Sequence, residues 1–214
     1  MTGIEHGKRP AIRAFLIWTA LLLVITVPLA AAAFSPLLAW RQPVYIVAGF
    51  AGIVAFALLL VQPLLIGGYL PGATHVRARR IHWAVGILLV LAVLAHVGGL
   101  WITSPPDVID ALLLRSPTPF SVWGVLAMWA VFVTALLGIF RKKLKIRPRS
   151  WRLAHIALAL LIVLGTVIHA LLIEGTMETM SKAVLCLLAI AATLKIAVDF
   201  RIWPLRQAGK PKRS

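Results

Sequence analysis

Six apolar runs, each long enough to cross a bilayer as a helix, occupy residues 14–34, 44–66, 81–103, 119–140, 153–173 and 180–200. A hydrocarbon core of about 30 Å needs about 20 such residues per helical span, and backbone inside it must satisfy its own polar groups, which leaves only helices and closed barrels. Apolar runs of this length are helices. Composition agrees: of 214 residues 61% are hydrophobic and only 13% charged, with a mean hydropathy of +0.97, against about 45–50% apolar content in soluble domains. The expected fold is therefore all-α, a polytopic membrane protein whose six-helix transmembrane bundle fills residues 14–200 between a short segment, 1–13, and a basic tail, 201–214. The connecting stretches, such as "GGYLPGATHVRARR", "SPPDVIDALLLRSPT" and "EGTMET", are short and carry turn chemistry. No soluble domain fits between the spans.

The formal net charge of +16 is a topology signal, and no nucleic-acid partner is expected. Lys8, Arg9 and Arg13 precede the first span; Arg77, Arg79 and Arg80 precede the third. Arg141, Lys142, Lys143, Lys145, Arg147, Arg149 and Arg152 lie around the fourth connection, and Arg201, Arg206, Lys210, Lys212 and Arg213 follow the sixth span. The alternate segments hold only Arg41, Arg115 and Lys182, together with Asp107, Asp110, Glu174 and Glu178. Under the positive-inside rule both termini are cytoplasmic, and the expected location is a bacterial inner membrane. Contact between the basic loops and anionic lipid follows as a by-product. The basic start and "LAAAAF" end of the first span also fit a signal peptide, although its apolar length favours a retained helix. The single cysteine, Cys186, excludes an internal disulfide framework and reads as a small buried hydrophobe.

The third span, within "RRIHWAVGILLVLAVLAHVGGLW", carries His82 and His96 fourteen residues apart, and the fifth, within "WRLAHIALALLIVLGTVIHALLI", carries His155 and His169 at the same interval. Fourteen residues fall about 40° short of four full helical turns, so each pair shares one helix face and spans about 21 Å. Both spans run in the same direction. His82 and His155 therefore lie near the inner interface and His96 and His169 toward the outer one, giving two pairs at matched depth. A single membrane histidine is often just hydrogen-bonded to a carbonyl, but intramembrane ionisable groups are costly, and this joint pattern points to function. A zinc site needs four ligands converging within about 2.0–2.3 Å of one metal, which levels about 21 Å apart cannot supply. Haem fits: each iron takes two axial nitrogens, leaving a porphyrin between spans three and five. With both axial positions filled, the expected work is electron transfer.

The stretches "RRIHWAVGILLVLAVLAH" and "RSWRLAHIALALLIVLGTVIH", with Trp151, Arg152 and His155 opening the second, resemble the ferric reductase-like transmembrane domain over about residues 45 to 200. That domain is shared by ferric reductases, NADPH oxidases and the haem-binding membrane subunit of a bacterial methionine sulfoxide reductase system. The resemblance implies two b-type haems, an inner one on His82 and His155 and an outer one on His96 and His169, in an oxidoreductase component. Ferric reductases and NADPH oxidases continue into a flavin and nicotinamide domain. Only residues 201–214 follow the sixth span here, and no GxGxxG fingerprint occurs. The donor is then expected to be a separate cytoplasmic flavoprotein reductase or quinol, and the acceptor a small molecule or separate partner outside.

Around these ligands, Gly124 and Gly138 on the fourth span repeat the fourteen-residue interval, where a missing side chain would admit a porphyrin edge. Arg80 and Arg152, nearest the histidines, are candidates for haem propionates. Trp83, Trp101, Trp123 and Trp151 read as interface anchors, and Lys195 with Asp199 as a snorkelling ion pair. Two other readings compete: a quinol-linked cytochrome b anchoring a larger oxidoreductase, which the lack of a "PEWY" motif disfavours, and a haem-free proton-coupled transporter, to which equal pairing by depth gives no advantage.

Overall fold

The computed structural model describes residues 5–208, and all regular structure among them is helical. In chain order the α-helices are α1 (Glu5–Ala33), α2 (Pro43–Ile66), α3 (His75–Thr103), α4 (Pro105–Leu112), α5 (Pro119–Phe140), α6 (Pro148–Leu172) and α7 (Thr179–Ala208), with one 3₁₀ turn at Pro36–Leu38. All but α4 are long and apolar enough to cross a membrane. The chain is a multi-pass membrane protein, and its third and fifth spans are α3 and α6.

Helix starts follow local chemistry. Proline opens α2, α4, α5 and α6, where its fixed φ suits the first turn and its missing N–H would be unpaired anyway. α3 is capped by Thr74, whose hydroxyl accepts from the Arg77 N–H at 3.4 Å. It starts several residues before the apolar run at 81–103, so the first turn stands on the basic side. The segment after α3, where turn chemistry alone is expected, instead forms α4. There Pro105 and Pro106 preset the first turn, and the Ser104 hydroxyl donates to the Asp107 carboxylate at 2.5 Å.

Two helical hairpins make the frame. α2 packs chiefly on α3, and α5 on α6. α7 touches both α2 and α6, and α1 lies at the edge against α2 and α7. The shared core is made by Phe56 and Leu60 of α2, Val131 of α5, Val163 of α6 and Leu185 and Ala189 of α7. Cys186 is buried there as a free thiol. Many large apolar side chains point outward, among them Leu91, Leu94, Leu136, Leu164 and Leu187, as a lipid-facing surface requires. Lys195 and Asp199 pair at 2.6 Å, and the Tyr69 hydroxyl donates to the same carboxylate at 3.3 Å.

Candidate functional site

α3 and α6 do not pack closely on each other; each belongs to its own hairpin. Across the seam between them the four histidines meet in two pairs. The rings of His82 and His155 have centroids 6.1 Å apart with planes at 72°, and those of His96 and His169 are 6.5 Å apart at 82°. All four are half-buried.

The two hairpins hold the second pair in the same way. His96 Nδ1 lies 2.8 Å from the carbonyl oxygen of Ala48, and His169 Nδ1 lies 2.8 Å from that of Phe120. A carbonyl only accepts, so in both rings Nδ1 carries the proton and donates, which leaves the lone pair on Nε2. One turn beyond each carbonyl stands a glycine against the same ring. A Cβ on Gly52 would come within 3.0 Å of His96 Nδ1, and one on Gly124 within 2.6 Å of His169 Nδ1. Each hairpin thus presents a carbonyl and a bare backbone patch as a seat for one imidazole.

The space expected at Gly124 for a porphyrin edge is therefore taken by the His169 ring. Gly138 is exposed, with Trp151 at 3.7 Å from the position of a Cβ. Arg80 and Arg152 are both exposed on the basic side. Trp151, expected only as an anchor, stacks on His155 with centroids 5.1 Å apart and planes at 24°.

The first pair is supported differently. Gln62 of α2 lies beside Gly86, where a Cβ would come within 3.3 Å of its amide nitrogen. With that nitrogen turned to His82, it donates to Nδ1 and, at 3.2 Å, to the His82 carbonyl, while its oxygen accepts from the Gly86 N–H at 2.9 Å. Nδ1 is then an acceptor and the proton sits on Nε2, the reverse of the tautomer at His96 and His169. His155 Nδ1 is buried with no hydrogen-bond partner. Beside this pair the seam opens into a cavity of about 100 Å³ lined by Gln62, Ile66, His82, His155, Ala159 and Thr193.

Sequence reasoning missed Gln62 and Gly52: Gly52 lies off the histidine interval, and one glutamine within an apolar run carries no spacing signal of its own. It also missed Lys182, which is 8% exposed and donates from Nζ to the Ile173 carbonyl at 2.9 Å, capping the C-terminal end of α6.

Among the described residues no group of three or more His, Cys, Asp or Glu converges as a metal site. Each histidine pair therefore offers two ligands to a metal. The separations fit such a role: two metal–imidazole bonds of about 2.0–2.1 Å, each with about 1.1 Å from nitrogen to ring centre, put the centroids about 6.3 Å apart. Comparison with protein families, curated proteins and solved structures finds no match to this chain.

Proposed function

We propose that the two histidine pairs hold two b-type haems and that the chain conducts electrons across the membrane. The observation that carries this reading is the similar ring separation, 6.1 and 6.5 Å, at two levels of a seam whose helices are otherwise apart. His82 and His155 would hold the inner haem, His96 and His169 the outer one. Held by these histidines, haem would supply one-electron chemistry. Ala48 and Phe120 keep the outer Nε2 atoms free of protons, so that pair is preset to ligate. In the inner pair the Gln62 amide sits on His82 Nδ1, so the way that amide is turned would set which His82 nitrogen is free to ligate.

With cytoplasmic termini, electrons travel outward from a separate flavoprotein reductase or quinol to an acceptor beyond the membrane. The work is that of a ferric reductase-like oxidoreductase component in a bacterial inner membrane. A cell interior negative by about 100 mV favours each outward electron by about 2.3 kcal/mol. The test is the reduced-minus-oxidised absorption spectrum of the purified protein, with haem quantified per chain. Low-spin b-type bands at about two haems per chain are expected; a haem-free protein that retains activity overturns the reading. Reduction by a soluble flavin reductase, compared with reduction by quinol, then identifies the donor.

A further inference from the structure

A second cavity, separate from the histidine seam, opens at the basic end of the bundle. Its volume is about 830 Å³, and it is lined by Trp83 of α3, Ile139 near the end of α5, and Arg141, Lys142, Lys145 and Arg147 of the connection to α6. With Gly138, Ile146 and Pro148 the lining comes to nine residues, four of them cationic and none acidic. Trp83 and Ile139 present an indole and an aliphatic side chain on helices that enter the bilayer, so the cavity combines apolar surface with positive charge.

Local geometry keeps the basic wall in place. α5 ends with the Leu144 N–H donating to the Phe140 carbonyl at 2.8 Å and the Ile146 N–H to that of Arg141 at 3.2 Å. Lys145 takes a left-handed φ of 49°, where glycine would be the ordinary residue, and so turns the chain back along the cavity. The Arg141 guanidinium lies over the Trp151 indole at 5.4 Å, which fixes its charge at the cavity edge.

We propose that this cavity is a binding site for one anionic phospholipid, with the phosphate headgroup among Arg141, Lys142, Lys145 and Arg147 and an acyl chain beginning along Trp83 and Ile139. Guanidinium and ammonium groups supply charge-assisted bonds to phosphate oxygens. The interfacial tryptophan and the aliphatic wall accommodate the glycerol and first methylenes. A soluble anion satisfies only the charged wall; a lipid satisfies both. The site does not depend on haem in the seam.

The test is native mass spectrometry of the detergent-purified full chain with phosphatidylglycerol, phosphatidylcholine or inorganic phosphate added. One phosphatidylglycerol per chain is expected to persist, with phosphatidylcholine failing to replace it. The triple variant Lys142→Gln, Lys145→Gln, Arg147→Gln weakens retention on the order of a hundredfold, since each interfacial cation contributes several-fold. A control of equal charge change outside the cavity, Arg79→Gln, Lys143→Gln, Arg149→Gln, leaves it within a few-fold. Equal loss in both triple variants overturns the site in favour of diffuse attraction to the basic face. Displacement of the lipid by inorganic phosphate alone overturns it in favour of a simple anion site. Should the triple variant fail to fold, Trp83→Ala, which leaves every charge in place, is expected to weaken retention several-fold while the loss stays specific to lipid; unchanged retention in that variant overturns the apolar half of the site.

Discussion

The imidazole of His169 rests on the bare backbone at Gly124, with its Nδ1 bonded to the Phe120 carbonyl one turn earlier at 2.8 Å. His96 has the same arrangement with Gly52 and the Ala48 carbonyl. The hairpins α2–α3 and α5–α6 are two copies of one device, and the seam lies where they face each other.

This duplication predicts how losses combine. With haem bound as proposed, His96→Ala and His169→Ala should each remove the outer haem, lowering haem per chain by about half, and the double variant should lose little more because the second change acts on a site already lost. His82→Ala and His155→Ala should behave likewise toward the inner haem, while combinations across pairs approach additivity. Haem content and reduction kinetics of the four single and two same-depth double variants decide this. Spectroscopically different losses from His82→Ala and His155→Ala would contradict the pairing.

The glycines should respond according to what faces them. Gly124→Ala places a Cβ within 2.6 Å of His169 Nδ1, so the ring must move, at a cost of about 1–3 kcal/mol and with loss of outer haem. Gly52→Ala, meeting His96 at 3.0 Å, should cost less. Gly138→Ala meets Trp151 only at 3.7 Å and should be neutral or stabilising by up to about 1 kcal/mol through helix propensity. Thermal unfolding with haem quantification ranks the three.

The two pairs should also load unequally. His96 and His169 already hold the ligating tautomer, whereas that of His82 depends on which way the Gln62 amide is turned. Haem titrated into apoprotein should fill the outer site first. Gln62→Leu, which takes away the amide partner of His82, should weaken only the inner site, by about 1–2 kcal/mol. Spectral titration of the variant measures it, and equal weakening of both sites would separate Gln62 from the inner pair.

A pH effect is expected at the start of α7. The Glu178 carboxylate accepts from the Ser181 N–H at 2.6 Å and the Met180 N–H at 2.7 Å, and these bonds hold its pKa below the ordinary 4.5. A folded-state pKa below the unfolded value means the stabilisation is fully present above the unfolded pKa and fades as pH falls through the folded one. Amide exchange at Met180 and Ser181, corrected for intrinsic rates, should therefore speed up only below about pH 4.5, and Glu178→Ala should show the faster exchange at neutral pH.

Orientation can be read directly. Reporter fusions after Arg147 and at the C-terminus should report cytoplasm, and fusions near Asp110 and Glu178 should report the outside. Reversal at any of them would break the assignment of inner and outer pairs.

Six spans, their approximate limits and the two histidine intervals follow from the sequence alone, because hydrophobic length and helical periodicity are local properties. The equal fourteen-residue spacing also states which histidines share a depth. What the sequence cannot carry is which helices pack into hairpins and which stay apart, since that depends on complementary shape between segments distant in the chain. Only the tertiary structure places Gly52 and Gly124 under imidazoles, gives Ala48 and Phe120 the role of fixing a tautomer, sets Gln62 on His82, and buries Lys182 against the end of α6. The same limit explains α4: a short apolar stretch between prolines reads as a turn until α3 and α5 give it a surface to pack on. Apolar pattern decides that these helices enter the membrane; the fit of one helix against another decides what their histidines can hold.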